Sequence, residues 1–243
     1  MRLTRVFIDA PLEPGTRVTL EGNAASHITR VLRLRVGAPL TLFNGQGGEY
    51  SASIDKAHGG SVTVAIEEAR AIERESPLKL TLAQGISRGE RMDLIVQKAT
   101  ELGVSRLVPL LTERSIVQLD AQHAQRKLSH WRAVAVGACE QCGRNRLPEI
   151  SPPVPLPEHL RADRAADLRL MLAPEARQRI GEVARAASKV SVLIGPEGGL
   201  SDAEQQAALA SGFTAVLTGP RVLRTETAAI VALTLLQREF GDL

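Results

Sequence analysis

VSVLIGPEGGLSDAE, residues 190–204, and TAVLTGPRVLRTETA, residues 214–228, set the predicted fold of this chain. Each stretch begins with a short apolar run, continues through a glycine-proline loop and ends in a polar segment typical of a helix start. The two stretches therefore predict a strand–loop–helix unit twice in succession. Because open α/β sheets bind ligands at the carboxyl ends of their strands, both loops are candidate ligand sites.

The chain before these units, from residue 78 onward, alternates between strand and helix patterns. Alternation of this kind predicts a mostly parallel, doubly wound α/β sheet. The proline-rich stretch SPPVPLP, residues 151–157, predicts a rigid surface connection. The predicted strands are LKLTLAQGI (78–86), SRLVPLLT (105–112) and DLRLMLA (167–173), and the predicted helices are RMDLIVQKATELG (91–103), residues 121–142 and ARQRIGEVARAA (176–187).

Residues 1–70 have a different pattern, with short β-rich runs separated by Gly, Pro and Asn. Several short strands at this spacing predict a small barrel or sandwich. The charged connector EEARAIERESP, residues 67–77, marks the change, so we predict domains at 1–72 and 73–243. The runs are RVFID (5–9), RVTLEG (17–22), APLTLFNG (38–45), EYSASID (49–55) and SVTVAIEEA (61–69).

The composition is that of a globular protein, with 44% hydrophobic and 23% charged residues in 243. Its longest apolar stretch, 228–236, is much shorter than the ~20 residues that cross a bilayer. MRLTRVFIDA at the amino terminus lacks the apolar core of a signal peptide. We therefore expect a cytoplasmic protein with no membrane segment. Aromatic residues make up only 2%, which argues against RNA binding by stacking on exposed rings.

The two cysteines, Cys139 and Cys142, form a C-E-Q-C unit near the end of a predicted helix. One interpretation is a redox pair, although such pairs usually follow a strand. The other is two small side chains in a reduced protein. A structural zinc site takes four ligands and the chain has no second cysteine pair, so no metal is predicted.

The first loop, residues 195–199 with the sequence GPEGG, does not match a phosphate-binding motif. It lacks the Lys and Ser/Thr of a P-loop, and no G-x-G-x-x-G opens the helix. Glu197 would repel a phosphate, and Pro196 has no N–H to donate. These features predict a neutral or cationic ligand, and S-adenosylmethionine fits because it has no phosphate and a positive sulfonium. The alternative is a plain helix-entry turn capped by Ser201 and Asp202.

The second loop, residues 217–224, carries charge directly before an apolar helix. Thr225 is a plausible helix cap, and Arg224 and Glu226 flank it. Charged side chains at a strand's carboxyl edge are costly to desolvate unless they are used. The second loop is therefore the better candidate for a reaction centre.

Together, GPEGG and GPRVLRTETA resemble the carboxyl-terminal signature of the SPOUT methyltransferases, and within them the RsmE family. The resemblance extends over essentially the whole chain. HITRVLRLRVG (27–37) and FNGQGGEY (43–50) resemble the family's PUA-like amino-terminal domain. QKATELGV (97–104), TERS (112–115) and ACEQCGR (138–144) resemble its internal blocks.

The resemblance implies a PUA-like β-barrel at 1–72 and an α/β domain with a trefoil knot at 73–243. It also implies methylation of N3 of a uridine in 16S ribosomal RNA of the small subunit, with S-adenosylmethionine as cofactor. Such enzymes are usually homodimers with the site at the interface, and the helix containing AAIVALTLL is either that interface or a core helix. The implied cofactor residues are Met171, Leu172, Ala173, Gly195, Pro196, Glu197, Gly198, Gly199, Leu217, Thr218, Gly219, Val222, Leu223, Arg224, Thr225 and Thr227.

The chemistry that the resemblance implies needs a deprotonated uracil nitrogen. Arginine stays protonated, so it cannot be the base, but it can stabilise negative charge on the uracil carbonyl oxygens. Arg224 is the first candidate for that role. Arg114 and Arg144 are candidates for orienting the base or a phosphate, or else they form structural ion pairs. The base is Glu197, Glu226 or a water.

A second set of arginines lies in the amino-terminal domain: Arg2, Arg5, Arg30, Arg33 and Arg35. These would form a basic face that contacts RNA phosphates, which positions RNA without reading its sequence. The alternative is a solvated surface. With few aromatic residues, recognition should depend on the shape of a folded RNA.

Two other functions compete with the methyltransferase hypothesis. One is a non-catalytic RNA-binding protein of ribosome assembly, in which the loops are structural turns. The other is a phosphotransferase, which Glu197 and the missing lysine disfavour.

Overall fold

The computed structural model describes residues 4–31, 33–115, 120–163, 165–183 and 186–243. The chain divides into two compact units. The first contains Met1–Glu75 and Cys139–Leu147, and the second contains Ser76–Ala138 and Pro148–Leu243. The sequence placed residues 139–147 in the second domain, because a break within a continuous helical pattern leaves no signal.

The first unit is built on a five-stranded sheet in the order β1-β3-β4-β5-β2. β1 pairs with β3 in parallel, and the other pairs are antiparallel. A short helix α1 and a π-helical turn, His27–Val31, follow β2. Alternating residues of the strands, such as Leu40, Leu42, Val62 and Val64, are buried in one core. The elements are β1 (Arg5–Phe7), β2 (Arg17–Leu20), α1 (Gly22–Ser26), β3 (Pro39–Phe43), β4 (Glu49–His58) and β5 (Ser61–Arg70).

All five β-rich runs of the sequence form strands of this sheet, so the predicted β-rich amino-terminal domain is confirmed. The reason is the alternation of apolar and polar residues, which gives each strand one face for the core.

The second unit contains a parallel sheet in the order β11-β13-β10-β12-β6-β7-β8, with β9 also paired to β7. All pairings found between these strands are parallel. The strands are β6 (Lys79–Gly85), β7 (Arg106–Leu111), β8 (Glu149–Ile150), β9 (Val154–Pro155), β10 (Leu168–Leu172), β11 (Gln178–Arg179), β12 (Lys189–Ile194) and β13 (Thr214–Leu217). The helices are α2 (Glu90–Glu101), α3 (Ala121–Cys142), α4 (Leu156–Ala162), α5 (Asp202–Ala210) and α6 (Thr225–Phe240).

Apolar clusters cover both faces of this sheet. One cluster joins the strands to Ile95 of α2 and Leu233 of α6. The other joins them to Leu160 of α4 and Ala208 of α5. The predicted doubly wound α/β sheet is therefore confirmed, and its central strands β6, β7 and β12 are buried on both sides, as parallel strands usually are.

Two local predictions are wrong. Residues 176–187 do not form a helix over their described part, which contains β11 and a 3₁₀ turn, Ile180–Glu182. Pairing of Gln178 and Arg179 with the edge strand β13 replaces the helix that the local pattern favours. Residues 151–157 are not a plain surface connection: Pro152, Pro155 and Pro157 are exposed, but Val154–Pro155 form β9 and the buried Leu156 begins α4.

The described helices include none that is both long enough and apolar enough to span a membrane.

Candidate active site

A cavity of about 580 Å³ opens at the carboxyl ends of β10, β12 and β13. Its size is typical of a pocket for a small-molecule ligand. Three loops form most of its wall, as expected for an open α/β sheet. The wall consists of residues 172–175, 194–200, 216–219, 221–226 and 228, with Arg91, Arg114 and Gln205.

Most of the residues that the sequence predicted for the cofactor line this cavity, but Met171 and Thr227 do not. Met171 is fully buried in the apolar cluster that also contains Leu193, its neighbour in register on β12. Thr227 is exposed on α6, one residue beyond the lining Glu226. The side chains of Met171 and Thr227 are therefore removed from the cavity wall.

The first loop, residues 195–199, is held by hydrogen bonds from neighbouring segments, two of them to Glu197. One oxygen of Glu197 accepts hydrogen bonds from the Arg88 N–H and from the Arg91 guanidinium, both at 2.9 Å. Burial raises the pKa of Glu197, but these hydrogen bonds outweigh it and leave the pKa below its ordinary value. Glu197 is therefore an ionised tether and a poor general base.

This pairing also corrects the electrostatic argument from the sequence. Arg91 neutralises Glu197, so that carboxylate does not by itself exclude an anionic ligand from the loop. The wall carries four arginines, Arg91, Arg114, Arg221 and Arg224, beside the carboxylates of Glu175, Glu197 and Glu226.

Arg114 contacts the same loop from the segment that follows β7. Its guanidinium donates to the Gly198 carbonyl at 3.1 Å, and its chain passes close to the Gly198 Cα. Glu204 orders this segment from α5 by accepting the Glu113 N–H at 2.8 Å. The contact recorded for Arg114 is thus with a backbone carbonyl of the first loop, and its role in orienting the base or a phosphate stays a prediction.

Ser201 caps α5, as the structural alternative for the first loop expected. Its hydroxyl accepts the Glu204 N–H at 3.2 Å, and the Glu204 carboxylate accepts the Ser201 N–H at 2.8 Å. This reciprocal pair is a capping box. The first loop can therefore both cap α5 and line the cavity, because the cap residue Ser201 directly follows Leu200, which lies on the cavity wall.

The second loop, before α6, is far more exposed. Val222 is 81% exposed, and Arg221 and Arg224 are also exposed on the cavity wall. Arg224 is the N-cap residue of α6, while Thr225 is its first residue, so the predicted cap at Thr225 is wrong by one position. The Thr225 hydroxyl instead donates to the Gly195 carbonyl at 2.8 Å.

Glu226 lines the cavity with one carboxylate oxygen unsatisfied. Its side chain is half-buried, and Oε2 is buried without a hydrogen-bond partner among the described residues. A buried acceptor in this state is costly until a donor reaches it. Of the two carboxylates suggested as bases, Glu226 is the one with a buried oxygen that has no partner among the described residues.

Two of the predicted site arginines are buried in ion pairs of the first unit. Arg144 is 4% exposed and donates two hydrogen bonds to Glu75, at 3.0 and 2.6 Å. Arg5 is 8% exposed and donates to Glu49 and Asn145, both at 2.5 Å. Buried, paired guanidinium groups hold the fold, so Arg144 is corrected from a catalytic candidate and Arg5 from an RNA contact.

Arg30, Arg33 and Arg35 are exposed in the first unit, at and after the π-helical turn. Arg33 has a positive φ of 52°, which is uncommon outside glycine. The predicted RNA contact Arg2 lies outside the described residues.

The two cysteines are free thiols. Cys139 is buried and its Sγ donates to the Arg146 carbonyl at 3.7 Å. A hydrogen bond with Cys142 and burial raise the pKa of Cys139 far above its ordinary value, which keeps the thiol protonated. Among the described residues, no group of His, Cys, Asp and Glu is arranged to hold a metal ion.

Sequence reasoning missed nine residues of the wall: Arg91, Pro174, Glu175, Ile194, Leu200, Gln205, Val216, Arg221 and Ala228. Pro174 and Glu175 directly follow the predicted Ala173, and Arg221 lies inside the second loop, so taking each loop as a whole would have included them. Nothing local marked Arg91 or Gln205, which reach the cavity only through the packing of α2 and α5.

Comparison with known proteins identifies the class to which the fold and the cavity belong, that of the RNA methyltransferases. Residues 74–237 match an RNA methyltransferase domain, and residues 20–67 match an RNA methyltransferase PUA domain. "Ribosomal RNA small subunit methyltransferase E" of Buchnera aphidicola is 33% identical over 242 residues, covering 100% of this chain and 98% of that protein. The chain therefore belongs to the ribosomal RNA small subunit methyltransferase E (RsmE) family.

Two solved structures are similar to this one over the full length of both chains. A "putative methyltransferase" from Legionella pneumophila, in complex with bound S-adenosylmethionine, is 43% identical with a TM-score of 0.97. A ribosomal RNA small subunit methyltransferase E from Neisseria gonorrhoeae, also bound to S-adenosylmethionine, is 34% identical with a TM-score of 0.91. These relatives confirm the predicted α/β fold class, the PUA-like domain and the family.

Proposed function

We propose that this protein methylates ribosomal RNA of the small subunit, using S-adenosylmethionine, and that its target is N3 of a uridine in 16S RNA. The observation that carries the reaction class is the three-loop cavity at the carboxyl ends of β10, β12 and β13. Support comes from two relatives of the same fold with bound S-adenosylmethionine. The uridine and its ring position come from the family resemblance alone.

The residues of the cavity fit this cofactor. Most residues of the wall are small or apolar, which suits an adenosine, and about 580 Å³ is ample for it. Leu172, Ala173, Gly195, Leu217 and Leu223 would hold the cofactor. When bound, S-adenosylmethionine supplies a methyl group activated by a positively charged sulfur.

Arg224 is the residue that we assign to the substrate. Its exposed guanidinium lies on the cavity wall at the N-cap of α6. There it donates hydrogen bonds to a uracil carbonyl oxygen and stabilises the negative charge that forms as the N3 proton leaves. The protein thus orients the uracil ring and stabilises the uracil anion.

For the N3 proton, the choice narrows to Glu226 or a water beside it. Glu197 is already ionised and tied to Arg88 and Arg91, so its lowered pKa makes it the weaker acceptor. Glu226 has an oxygen with no partner among the described residues. A carboxylate so placed accepts the proton directly or through one water.

RNA binding is assigned to Arg30, Arg33 and Arg35, which are exposed in the unit matched by the PUA model. Replacing all three with Ala should weaken RNA binding and flatten its salt dependence by about 0.7–0.9 in log–log slope for each lost phosphate contact. An unchanged slope would move the RNA surface elsewhere. Arg17, exposed but paired with Asp55, is the matched control.

Several further properties are proposed from the resemblance: a trefoil knot, a homodimer, a cytoplasmic location and a substrate within the small subunit. For the dimer, α6 offers a partial surface. Its Ala232 and Leu236 are buried in the core, while Ile230 and Val231 are half-buried on the helix. Sedimentation of the purified protein tests the dimer directly.

Calorimetric titration and RNA mass spectrometry together test the proposed function. We expect S-adenosylmethionine to bind the purified protein, and one methylated uridine to vanish from 16S RNA of cells lacking it. Tight RNA binding without cofactor binding would instead indicate a non-catalytic assembly factor. Magnesium-dependent ATP binding would indicate a phosphotransferase.

A further inference from the structure

Gln84 is a polar side chain buried in the sheet beneath the first loop. It lies near the carboxyl end of β6, is 0% exposed, and pairs in register with Ile194, the residue directly before the loop. Neighbouring positions of β6 hold Leu82 and Ala83, as a strand covered on both faces requires. A buried amide in such a strand is costly unless it is hydrogen-bonded.

The amide of Gln84 donates to both parts of the cavity wall. Its Nε2 lies 3.3 Å from the Gly195 carbonyl of the first loop and 3.0 Å from the Thr225 hydroxyl at the start of α6. It also lies 3.0 Å from the carbonyl of Gly85. Two N–H groups thus serve three acceptors, two of which belong to cavity segments.

Thr225 closes a triangle with these two groups. Its hydroxyl accepts from Gln84 and donates to the Gly195 carbonyl at 2.8 Å, and the residue is 6% exposed. The triangle joins β6, the loop after β12 and the first turn of α6. Thr225 lines the cavity, whereas Gln84 does not.

The backbone of the first loop is also packed tightly, against the end of β6 and within the loop itself. A Cβ added to Gly85 would meet Pro196 at 2.5 Å, and one added to Gly195 would meet the backbone of Gly199 and Leu200 at 2.9 Å. The first loop therefore rests directly on the end of β6. Contact limits how near the loop can come, and the Gln84 amide limits how far it can move away.

We propose that Gln84 is a positioning residue, which sets the separation of the first loop from the start of α6 and thereby the affinity of the cavity for its methyl donor. This inference rests on the proposed function. Gln84 does not line the cavity; it acts through the Gly195 carbonyl and the Thr225 hydroxyl.

Replacing Gln84 with Met keeps the length of the side chain and removes both donors. We expect Q84M to bind S-adenosylmethionine about tenfold more weakly by calorimetry, the effect of losing a buried hydrogen-bonded contact. The thermal midpoint should stay near that of the wild type, since an apolar side chain suits this core. Wild-type affinity in a folded Q84M would overturn the proposal.

Replacing Gln84 with Glu should make the cofactor affinity depend on pH, which a merely structural role of Gln84 would not predict. In Q84E the introduced carboxyl donates one hydrogen bond when it is protonated, whereas its ionised form repels the Gly85 and Gly195 carbonyls. The affinity of Q84E should therefore rise as pH falls, relative to wild type and Q84M measured at the same pH. Parallel pH profiles for all three proteins would contradict the proposal.

The matched control is Ser191→Ala. Ser191 is also polar and 0% exposed, lies in the adjacent strand β12, and has a hydroxyl without a partner among the described residues. S191A should retain the wild-type cofactor affinity. A loss equal to that of Q84M would show that any buried polar group of the sheet acts in the same way.

If Q84M does not fold, a cycle with the isosteric variant T225V keeps the proposal testable. Both single changes break the same triangle, so Q84E/T225V at high pH should bind no more weakly than the weaker single variant. Additive losses would overturn the proposal. Failure of the wild-type protein to bind S-adenosylmethionine would refute the proposed function instead, which separates the two results.

Discussion

The first loop, 195–199, and the second, 217–224, have nearly the same sequence pattern, but they differ in how the fold holds them. The first is held by side chains from β6, α2 and the segment after β7. The second carries exposed charge, with Arg221 and Arg224 on the cavity wall and Val222 81% exposed. One loop is thus a fixed wall of the cavity, and the other presents groups to a substrate.

The largest effect should come from the second loop. Arg224→Ala removes the group that we assign to the uracil anion, so turnover should fall by about 100- to 1,000-fold, as when an oxyanion donor is lost. Cofactor affinity should stay near the wild-type value because the first loop is intact. Methyl transfer to RNA and calorimetric titration measure the two quantities. Full turnover by this variant would remove Arg224 from the chemistry.

The next effect should come from the first loop and should fall on binding. Gly195→Ala places a Cβ 2.9 Å from the backbone of Gly199 and Leu200, so the loop must shift. We expect cofactor affinity to fall at least about tenfold. Gly137→Ala, in α3 with no atom within 4 Å of the new Cβ, is the control and should leave affinity unchanged. Equal behaviour of the two variants would contradict a fixed first loop.

The smallest effect concerns the tether at Glu197. Folding lowers the pKa of this carboxyl, so its ionised form stabilises the fold. That contribution is complete above the unfolded pKa of about 4.3 and is lost as pH falls through the lower folded value. Glu197→Gln should therefore lower the thermal midpoint by about 2–4 °C at neutral pH.

The difference between Glu197→Gln and wild type should shrink in acid, and thermal melts from pH 7 to pH 3 check this. Glu175→Gln is the control, because Glu175 is exposed on the same wall. A difference that stays constant with pH would show that the carboxylate charge does not hold the loop.

Regular elements could be predicted from sequence because their cause is local. Strand β12 and helix α5 follow from an apolar run, a glycine loop and the Ser201 cap. Local pattern failed at residues 176–187, where an edge pairing with β13 competes with helix formation. It also failed at 139–147, which joins the first unit although α3 runs on without a break to Cys142.

The residues of the candidate site were likewise predictable from the sequence only in part. The sequence identified the two loops and Arg224, since glycine-proline turns and flanking charges are visible in the chain. It misassigned Arg5 and Arg144, because the sequence alone does not distinguish an exposed arginine from one that is buried in an ion pair.

The β-rich and α/β parts, the position of both loops and the family were determined by the sequence alone. These follow from apolar periodicity, turn residues and motifs, which act over a few residues. Tertiary packing was needed to establish that Arg91 neutralises Glu197, that Glu226 has a buried oxygen with no partner among the described residues, and that Gln84 joins both walls of the cavity. The contacts of Arg91 and Gln84 join residues some 106 to 141 positions apart, and they arise only when parallel strands bring their carboxyl ends together.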